Sequence, residues 1–385
     1  MTLRRVEEAI SIEDFRKMAR ARLPRAVFDF VDGGAADELT LKGNRAAFDR
    51  LSIVPRILTD VSAPDISSTF MGQEFPTPLV ISPMGSCSLV RPDADLAIAR
   101  AAATRGIPYT LSTMSSTSIE TMARSVSGVL WFQLYVLKDR AFNEKLLQRA
   151  QENGYSALVL TLDLQAGGKR EKDLRNGVSV PLRPSPGLAW SAIRKPGWLF
   201  RMMVHGSPQF ENVRGYLGNT SAGLTIAARV GANLDAGFAW EDFDRMREMW
   251  RGKLIVKGVN HPDDAKELIR RGADGLWISN HGGRQLDGAI ASIEALSNIR
   301  KAVPPQTPML LDSGIRRGTD LMKLRAYGAS LGAVGRAALY AAAMGPEGPA
   351  RALDILLDEL RLGLKLSGAP SFRNINDGLF GQPVR

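Results

Sequence analysis

The sequence predicts a (β/α)8 barrel, in which eight parallel strands close into a cylinder that helices surround. Three observations support this prediction. Short apolar runs alternate with helix-like segments, there are eight such runs, and polar residues stand at or just after their carboxyl ends. Alternation of strands and helices is typical of a parallel sheet, and eight repeats are the number that closes a barrel.

The eight predicted strands are short and apolar, as expected of strands that are buried on both faces. In chain order they are Leu79–Ser82, Tyr109–Ser112, Leu130–Leu134, Ala157–Thr161, Leu254–Val259, Gly275–Ser279, Met309–Asp312 and Leu331–Gly335. The segments between them have apolar residues at helical spacing. The helices predicted there include Asp93–Ala103, Asp139–Asn153, Pro262–Arg271, Ser292–Ala302 and Thr319–Tyr327.

Two regions lie outside this repeat, although we expect the whole chain, residues 1–385, to form a single domain. Residues 1–78 precede the first strand and are predicted to be a helical extension that begins with the helix-like segment Ser11–Leu23. Residues 164–253 separate the fourth and fifth strands and are far longer than an ordinary barrel connection. The sequence therefore predicts a barrel with an N-terminal helical extension and a long insertion after strand four.

Composition and charge limit the possible classes of function. The chain is 44% hydrophobic and 23% charged, which is ordinary for a globular protein. Its one cysteine, Cys87, suits a reducing compartment, and its first residues lack the apolar core of a signal peptide, so we expect a cytoplasmic protein. A formal charge of +10 favours anionic small molecules or an anionic membrane surface. We find no nucleic-acid-binding motif and no cysteine–histidine cluster that would bind a metal.

The insertion contains a segment in which aromatic and apolar residues are interleaved with basic ones. Residues 190–204 include Trp190 and Trp198, and Arg194, Lys195 and Arg201 lie among them. This composition is typical of a segment that lies in a membrane interface. It fits equally a segment that packs over the barrel mouth or forms an oligomer contact. Residues 177–215 are therefore a candidate membrane-contacting segment.

His281 lies in the stretch with the most specific chemistry, which directly follows a predicted strand and reads Ser-Asn-His-Gly-Gly-Arg over residues 279–284. The two glycines allow the backbone to turn sharply and to approach a ligand closely. Arg284 offers a fixed fork of N–H donors that suits a carboxylate. A titratable base beside a carboxylate ligand predicts an active site. The alternative is a surface histidine beside a solvated arginine.

The loops after strands seven and eight have the composition of a phosphate site. The first contains Asp312, Gly314 and Arg316, and the second contains Gly335 and Arg336. Barrels frequently bind phosphate after these two strands, where glycines expose backbone N–H groups and arginines add bidentate charge. We therefore predict a phosphorylated cofactor or substrate, and the alternative is that these glycines only make tight turns.

Side chains at other strand ends suit a flavin ring. Ser112, Gln133 and Thr161 offer donors and acceptors for the edges of an isoalloxazine. Lys257 would stabilise the negative charge of the reduced ring, unless it is a solvated lysine. Asp163 would hold His281 in one tautomer and stabilise its protonated form, unless it is an N-cap or forms a loop ion pair.

These motifs resemble those of the FMN-dependent 2-hydroxy acid dehydrogenase and oxidase family, whose members include glycolate oxidase, L-lactate dehydrogenase and mandelate dehydrogenase. The resemblance extends from Leu23-Pro24 to Leu366-Ser367-Gly368, and its most specific parts are Ser279–Asp287, Trp131–Tyr135 and Asp312–Gly318. Residues 167–174 and 205–209 are most similar to mandelate dehydrogenase. The resemblance implies FMN as cofactor, a 2-hydroxy acid as substrate and a homo-oligomer of four or more chains.

The resemblance also implies roles for individual residues. His281 would be the catalytic base with Asp163 as its partner, and Tyr135 would lie near the substrate hydroxyl and the flavin. Arg170 and Arg284 would bind the substrate carboxylate, and Arg284 would also act in catalysis. The residues that would hold FMN are Pro83, Met84, Gly85, Ser112, Gln133, Thr161, Lys257, Ser279, Asp312, Gly314, Arg316, Gly335 and Arg336.

Three features distinguish this chain from a generic family member. Phe30 occupies the position where the family usually has a tyrosine whose hydroxyl binds the substrate carboxylate. Gly85 stands where oxidases of the family tend to have alanine, which favours the dehydrogenase branch and a quinone as electron acceptor. The insertion resembles the membrane-contacting segment of mandelate dehydrogenase, which favours a peripheral position on the inner face of the plasma membrane.

From these features we expect FMN-dependent oxidation of an (S)-2-hydroxy acid, large or aromatic and mandelate- or lactate-like, to the 2-oxo acid. Two alternatives stay open. One is a soluble oxidase that reduces oxygen to hydrogen peroxide. The other is an FMN barrel that acts on a substrate without a carboxylate or catalyses a non-redox isomerisation.

Overall fold

The computed structural model of the protein describes residues 5–177, 186–206, 209–214, 216 and 231–380. A short antiparallel hairpin, β1 (Ser68–Phe70) and β2 (Gln73–Phe75), precedes a closed barrel of eight parallel strands. The barrel strands are β3 (Leu79–Met84), β4 (Tyr109–Ser112), β5 (Leu130–Tyr135), β6 (Ala157–Thr161), β7 (Lys253–Val259), β8 (Gly275–Ile278), β9 (Met309–Leu311) and β10 (Leu331–Val334). Each strand pairs with the next, and β10 pairs with β3. The predicted (β/α)8 fold and its eight strands are confirmed, with ends that differ by one or two residues.

The helices lie between the strands and in the two additional regions. They are α1 (Ile12–Arg22), α2 (Arg25–Asp32), α3 (Leu39–Asp49), α4 (Ala94–Ala103), α5 (Ile119–Ser125), α6 (Arg140–Glu152), α7 (Glu171–Asn176), α8 (Pro186–Ile193), α9 (Pro196–His205), α10 (Trp240–Met249), α11 (Pro262–Arg270), α12 (Ser292–Ala302), α13 (Gly318–Ala326), α14 (Arg336–Ala342) and α15 (Gly348–Ser367). Their starts follow local capping: the side chain of Ser11 accepts from the backbone N–H of Asp14, and that of Asp139 from Phe142. The helices predicted from the sequence are present.

One end of the barrel is closed by aromatic side chains. Phe70 and Phe75 of the hairpin contact the ring of Trp131 at centroid distances of 6.0 and 6.4 Å, and Trp131 contacts Trp277 at 6.5 Å. These residues are all buried and form a cluster with apolar residues of the strands. Because this plug fills the amino-terminal end of the barrel, a cleft for a ligand has to lie at the carboxyl ends of the strands, as in other barrels of this type.

A reciprocal amide pair joins the N-terminal region to the loop after β8. Asn44 of α3 donates to the side-chain oxygen of Asn280 at 2.9 Å, and Asn280 donates to the side-chain oxygen of Asn44 at 2.7 Å. Both side chains are buried, and the Asn44 oxygen also accepts from the backbone N–H of Ser292 at 3.1 Å. Since Asn280 directly precedes His281, helix α3 fixes the backbone that carries the predicted base.

Helices α8 and α9 of the insertion present an apolar face to solvent. Trp198 on α9 is buried, and its indole N–H donates to the backbone oxygen of Leu89 at 2.8 Å, which attaches α9 to the segment after β3. The exposed apolar side chains of the two helices include Trp190, Ile193, Phe200, Met203 and Val204. No helix among the described residues is long and apolar enough to span a bilayer. Residues 178–185, 207, 208 and 215 of the candidate membrane segment lie outside the described residues.

We predict that Asn44→Ala lowers the free energy of unfolding by about 1–3 kcal/mol, because the buried amide of Asn280 loses one of its partners and the N–H of Ser292 loses its acceptor. Chemical denaturation of the holoenzyme, followed by circular dichroism, measures this change. Gln148→Ala on the exposed face of α6 is the control and should change stability by less than about 0.5 kcal/mol. Equal stability of the Asn44 and Gln148 variants would contradict the role given to the amide pair.

Candidate active site

A cleft of about 1250 Å³, including its part open to solvent, lies at the carboxyl ends of the barrel strands. Fourteen of the residues predicted from the sequence line it: Phe30, Pro83, Met84, Gly85, Tyr135, Arg170, Lys257, His281, Arg284, Asp312, Gly314, Arg316, Gly335 and Arg336. The other predicted residues are buried or nearly so, next to residues that line the cleft: Ser112, Gln133, Thr161, Asp163 and Ser279. The fold therefore brings the whole predicted set together around one space.

His281 is held between a carboxylate and a hydroxyl group. Its Nδ1 lies 3.1 Å from Oδ1 of Asp163, and its Nε2 lies 3.3 Å from the hydroxyl oxygen of Tyr135. An ionised carboxylate only accepts hydrogen bonds, so Nδ1 carries the proton and Nε2 is the basic nitrogen that faces the cleft. The backbone of His281 has a φ of +57°, and the Ser279 hydroxyl accepts its N–H at 3.0 Å. Neighbouring groups thus fix the turn in a backbone conformation that residues other than glycine rarely adopt.

The charges around His281 set its protonation. Burial lowers the pKa of His281 below its ordinary value of 6.5, and Asp163 offsets part of this effect. Burial acts to raise the pKa of Asp163, but the charges of His281 and Lys257 hold it below 3.8. Burial also raises the pKa of Tyr135 above its ordinary value, so its hydroxyl stays protonated. At neutral pH the site contains a neutral imidazole, an ionised carboxylate and a phenol, which is the state that a general base requires.

Phe30 lies between the two arginines predicted to bind a carboxylate. The guanidinium carbons of Arg170 and Arg284 lie 5.4 and 5.2 Å from the centre of its ring. Cation–π contacts of this kind contribute about 0.5–2 kcal/mol each. Arg170 also pairs with Asp173 of α7 at 3.3 Å. Phe30 thus supplies an aromatic face that orders both guanidinium groups, where a tyrosine would in addition offer a hydroxyl donor.

The carboxyl end of α2 holds two partly buried arginines in place. Arg284 donates to the backbone oxygens of Phe30 and Gly33 at 2.7 and 3.1 Å, and Arg336 donates to those of Val31 and Gly33 at 3.0 and 2.8 Å. These carbonyls have no partner within the helix, and the helix dipole places negative charge there. Burial lowers the pKa of Arg284 and of Arg336 to about 10, so both remain cationic at neutral pH.

Lys257 is a second source of buried positive charge. Its Nζ donates to the hydroxyl of Ser279 at 2.7 Å and lies 3.3 Å from Oδ2 of Asp312. The other carboxylate oxygen of Asp312 accepts from Ser313 at 2.7 Å.

Gly314 has a φ of +104°, and a Cβ there would lie 2.9 Å from the backbone oxygen of Asn44, so only glycine fits this turn.

The residues of the cleft fit FMN. Gln133 Nε2 and Thr161 Oγ1 are buried, and within the described part of the chain they have no hydrogen-bond partner. Ser112 donates to the Oε1 of Gln133 at 2.9 Å, which fixes the amide orientation and leaves Nε2 available as a donor. Unsatisfied buried groups of this kind are costly unless a ligand pairs with them. Arg316 and Arg336 line the cleft and would supply charge for a phosphate, and at Gly85 a Cβ would lie 3.1 Å from two atoms of Met114.

Sequence reasoning missed several residues of the cleft. Apolar side chains from the loops and the insertion line one part of it, namely Met114, Leu164, Phe210 and Leu234. None of them belongs to a polar motif, so no local signal identified them. Gly258 was also missed: its φ is +99°, and a Cβ there would lie 2.6 Å from that of Asp163. Its place directly after Lys257 was the available signal.

Comparisons with known proteins agree with this geometry. The family model described as FMN-dependent dehydrogenase matches residues 19–382. The chain is 39% identical over 377 residues to an L-lactate dehydrogenase of Caulobacter sp. (strain K31), covering 97% of this chain and 99% of the relative. It is also 39% identical over 371 residues to an L-lactate dehydrogenase of Alcaligenes faecalis, covering 96% and 98%.

Among solved structures, a crystal structure of the monotopic membrane protein (S)-mandelate dehydrogenase matches with a TM-score of 0.91 at 37% identity, covering 97% of this chain and 99% of the other. A mandelate oxidase with (S)-4-hydroxymandelic acid matches with a TM-score of 0.84 at 34% identity, covering 96% and 98%. The chain belongs to the FMN-dependent dehydrogenase family. It is an FMN-dependent oxidoreductase that acts on 2-hydroxy acids, and the predictions of cofactor and enzyme class are confirmed.

We predict that the second-order rate constant for flavin reduction by substrate rises with pH to a plateau, with a midpoint below 6.5. The neutral form of His281 is the active one, and burial lowers its pKa. In Asp163→Asn the midpoint moves to still lower pH, because the carboxylate that raises the pKa of His281 is gone. The plateau should fall about 10²–10⁴-fold, because the imidazolium formed in the reaction loses its counter-charge.

Anaerobic stopped-flow reduction between pH 5 and 9 measures both changes. His281→Gln, which removes the base, is the reference for full loss at every pH. An Asp163→Asn variant with the wild-type plateau and midpoint would show that Asp163 does not act on the base.

Proposed function

We propose that the protein oxidises a 2-hydroxy acid with a large apolar or aromatic side chain to the 2-oxo acid, and passes the electrons to a quinone at a membrane surface. The observation that carries this proposal is the arrangement of the cleft. The basic Nε2 of His281 and two partly buried arginines, Arg170 and Arg284, line the same space. A substrate whose carboxylate binds the arginines presents its hydroxyl-bearing carbon towards the base.

In this proposal each residue has a defined task. Arg170 and Arg284 bind the substrate carboxylate, and the Tyr135 hydroxyl, 3.3 Å from Nε2, contacts the substrate hydroxyl. His281 takes a proton from the substrate as the carbon is oxidised, and Asp163 stabilises the imidazolium that results. When bound, FMN supplies the acceptor for the two electrons. Lys257, Arg316 and Arg336 provide the positive charge that favours an anionic cofactor.

The apolar part of the cleft supports a large substrate side chain. Met114, Leu164, Phe210 and Leu234 line the same cleft as the arginines. An aromatic or branched apolar group gains about 25 cal/mol for each Å² that it buries against such a surface. Several similar structures are of mandelate dehydrogenase or mandelate oxidase, and mandelate carries a phenyl ring. The similar curated proteins are called L-lactate dehydrogenase, so lactate is the second candidate.

The membrane part of the proposal rests on α8 and α9. The two helices contact each other, several of their apolar side chains are exposed, and the guanidinium carbon of Arg194 lies 5.3 Å from the centre of the Trp190 ring. Aromatic residues beside cationic ones suit the boundary between lipid headgroups and acyl chains. The similar mandelate dehydrogenase is described as a monotopic membrane protein. A position at the inner face of the plasma membrane would place the enzyme next to a quinone pool.

Assembly into a homo-oligomer of four or more chains is also part of the proposal. Ile57, Leu58 and Leu366 are apolar and largely exposed. The backbone N–H of Arg56 bonds to the oxygen of Ser367, so these three side chains lie in neighbouring segments. Light scattering of the purified holoenzyme gives the number of chains in the assembly. A monomer at micromolar concentration would contradict the proposed homo-oligomer.

The function is tested by anaerobic bleaching of the flavin with a panel of acids. We expect (S)-mandelate and other aromatic 2-hydroxy acids to reduce the flavin faster than lactate, and methyl esters to react poorly. The reduced enzyme is then mixed with a soluble quinone analogue or with oxygen. Rapid oxidation by the quinone and slow peroxide formation support the proposal. Faster oxidation by oxygen would identify an oxidase. Bleaching by lactate alone would show that lactate, and not an aromatic 2-hydroxy acid, is the substrate.

We predict that Phe30→Tyr tightens the binding of a free 2-hydroxy acid by about tenfold or more. A buried hydroxyl that donates to a carboxylate contributes about 1.5–3 kcal/mol. The dissociation constant from anaerobic flavin reduction measures the effect, and the methyl ester of the same acid is the matched control. The ester should gain nothing, because it has no ionic group for the new hydroxyl. Equal changes for acid and ester would show that Phe30 does not face the carboxylate.

We predict that the double variant Trp190→Glu, Phe200→Glu binds vesicles of phosphatidylglycerol and phosphatidylcholine at least tenfold more weakly than the wild type. Each exposed aromatic side chain would lose about 1.5–3 kcal/mol of burial in the bilayer surface. Co-sedimentation measures binding, and flavin reduction by substrate should stay unchanged. Leu362→Glu, an exposed apolar residue on α15, is the control. Wild-type binding by the double variant would rule out α8 and α9 as the contact.

A further inference from the structure

Trp277 lies in the interior of the barrel, directly beneath the charged groups at the base of the cleft. It is fully buried on β8, and its indole N–H donates to Oδ2 of Asp312 at 3.1 Å. The Nζ of Lys257 lies 5.7 Å from the centre of its ring. One side chain therefore contacts both members of a buried ion pair through two different atoms.

The carboxylate of Asp312 interacts with three donor groups. Its Oδ1 accepts from Ser313, while Oδ2 accepts from Trp277 and lies 3.3 Å from Nζ of Lys257. The two groups at Oδ2 compete for the same oxygen. An N–H that donates to a carboxylate oxygen offsets part of the negative charge of the carboxylate. The indole of Trp277 therefore weakens the electrostatic attraction between Asp312 and the ammonium group of Lys257.

The positive charge of the Lys257 ammonium group contributes directly to the electrostatic potential in the cleft. Lys257 is buried apart from the atoms that line the cleft, and Ser279 and Asp312 occupy two sides of its Nζ. In a buried site, where water screens charge weakly, a small change in the neutralisation of this lysine alters the potential in the cleft. The aromatic face of Trp277 stabilises the same cation from below.

We propose that Trp277 is a positioning residue that raises the redox potential of bound FMN by keeping the charge of Lys257 directed into the cleft. The indole N–H donates to Asp312 and thereby offsets part of its negative charge, while the ring stabilises the ammonium group of Lys257. More of the positive charge of Lys257 is then left to stabilise the reduced, negatively charged cofactor. This inference rests on the FMN dependence of the family, not on the substrate or the electron acceptor proposed above. Trp277 itself does not line the cleft.

Trp277→Phe tests the inference, because phenylalanine keeps an aromatic face beneath Lys257 and removes the N–H donor. We expect the midpoint potential of the flavin to fall by about 15–30 mV. This corresponds to a three- to tenfold change in the equilibrium of a two-electron couple, a fraction of one charge-assisted hydrogen bond. The affinity of the oxidised flavin for sulfite, read from the loss of visible absorbance, should fall by a similar three- to tenfold factor. Neither measurement uses the natural substrate or acceptor.

Trp131→Phe is the matched control. Trp131 is buried in the same aromatic cluster, with its ring 6.5 Å from that of Trp277, so the two changes disturb the packing alike. The control should leave the potential and the sulfite affinity at their wild-type values. If Trp277→Phe does not fold, replacement of Trp277 with 3-benzothienylalanine keeps the size of the ring system and removes only the N–H. An unchanged or higher potential in the Trp277 variant, or an equal fall in the Trp131 control, overturns the proposal.

Discussion

The burial of positive charge is the constraint on which the rest of the structure depends. A cleft for two anions, a phosphorylated cofactor and a carboxylate substrate, needs cations that are removed from water, and each of them requires fixed acceptors. Arg284 and Arg336 obtain theirs from the carbonyls at the end of α2. Arg170 pairs with Asp173, and Lys257 pairs with Asp312. Arg284, Arg336 and Lys257 therefore also connect separate segments of the chain around the cleft.

This constraint explains why the N-terminal region is part of the site. Helix α2 supplies the carbonyl acceptors and the ring of Phe30, while α3 supplies Asn44, which fixes the turn that carries His281. A barrel without these helices would deprive Arg284 and Arg336 of the carbonyl acceptors of α2, and the amide of Asn280 of its reciprocal partner Asn44. The fold thus uses the region before its first strand to satisfy groups at the carboxyl ends of its last three strands.

Much of this was accessible from the sequence, because it follows from local patterns. Eight apolar runs separated by helix-like segments determine the barrel, and the rule that catalytic residues follow strand ends identified His281, Lys257 and Asp312. The resemblance to a family added Arg170, which has no local motif of its own. Residues such as Phe210 and Leu234 were not predicted, because an apolar side chain in a long insertion gives no sign of whether it faces a ligand or the core.

The sequence by itself determined the fold class, the cofactor and the charged residues of the cleft, since these depend on residue type and on order along the chain. Only the tertiary structure decided which groups satisfy one another. Asn44 and Asn280 are separated by 236 positions, and Phe30 meets Arg284 across 254. No periodicity encodes such pairs, because they arise where separate segments converge and the cost of an unpaired buried group selects the arrangement. The position of Trp277 beneath Lys257 is of the same kind: the sequence shows an apolar residue in a strand, and the closed barrel makes it the partner of a charge.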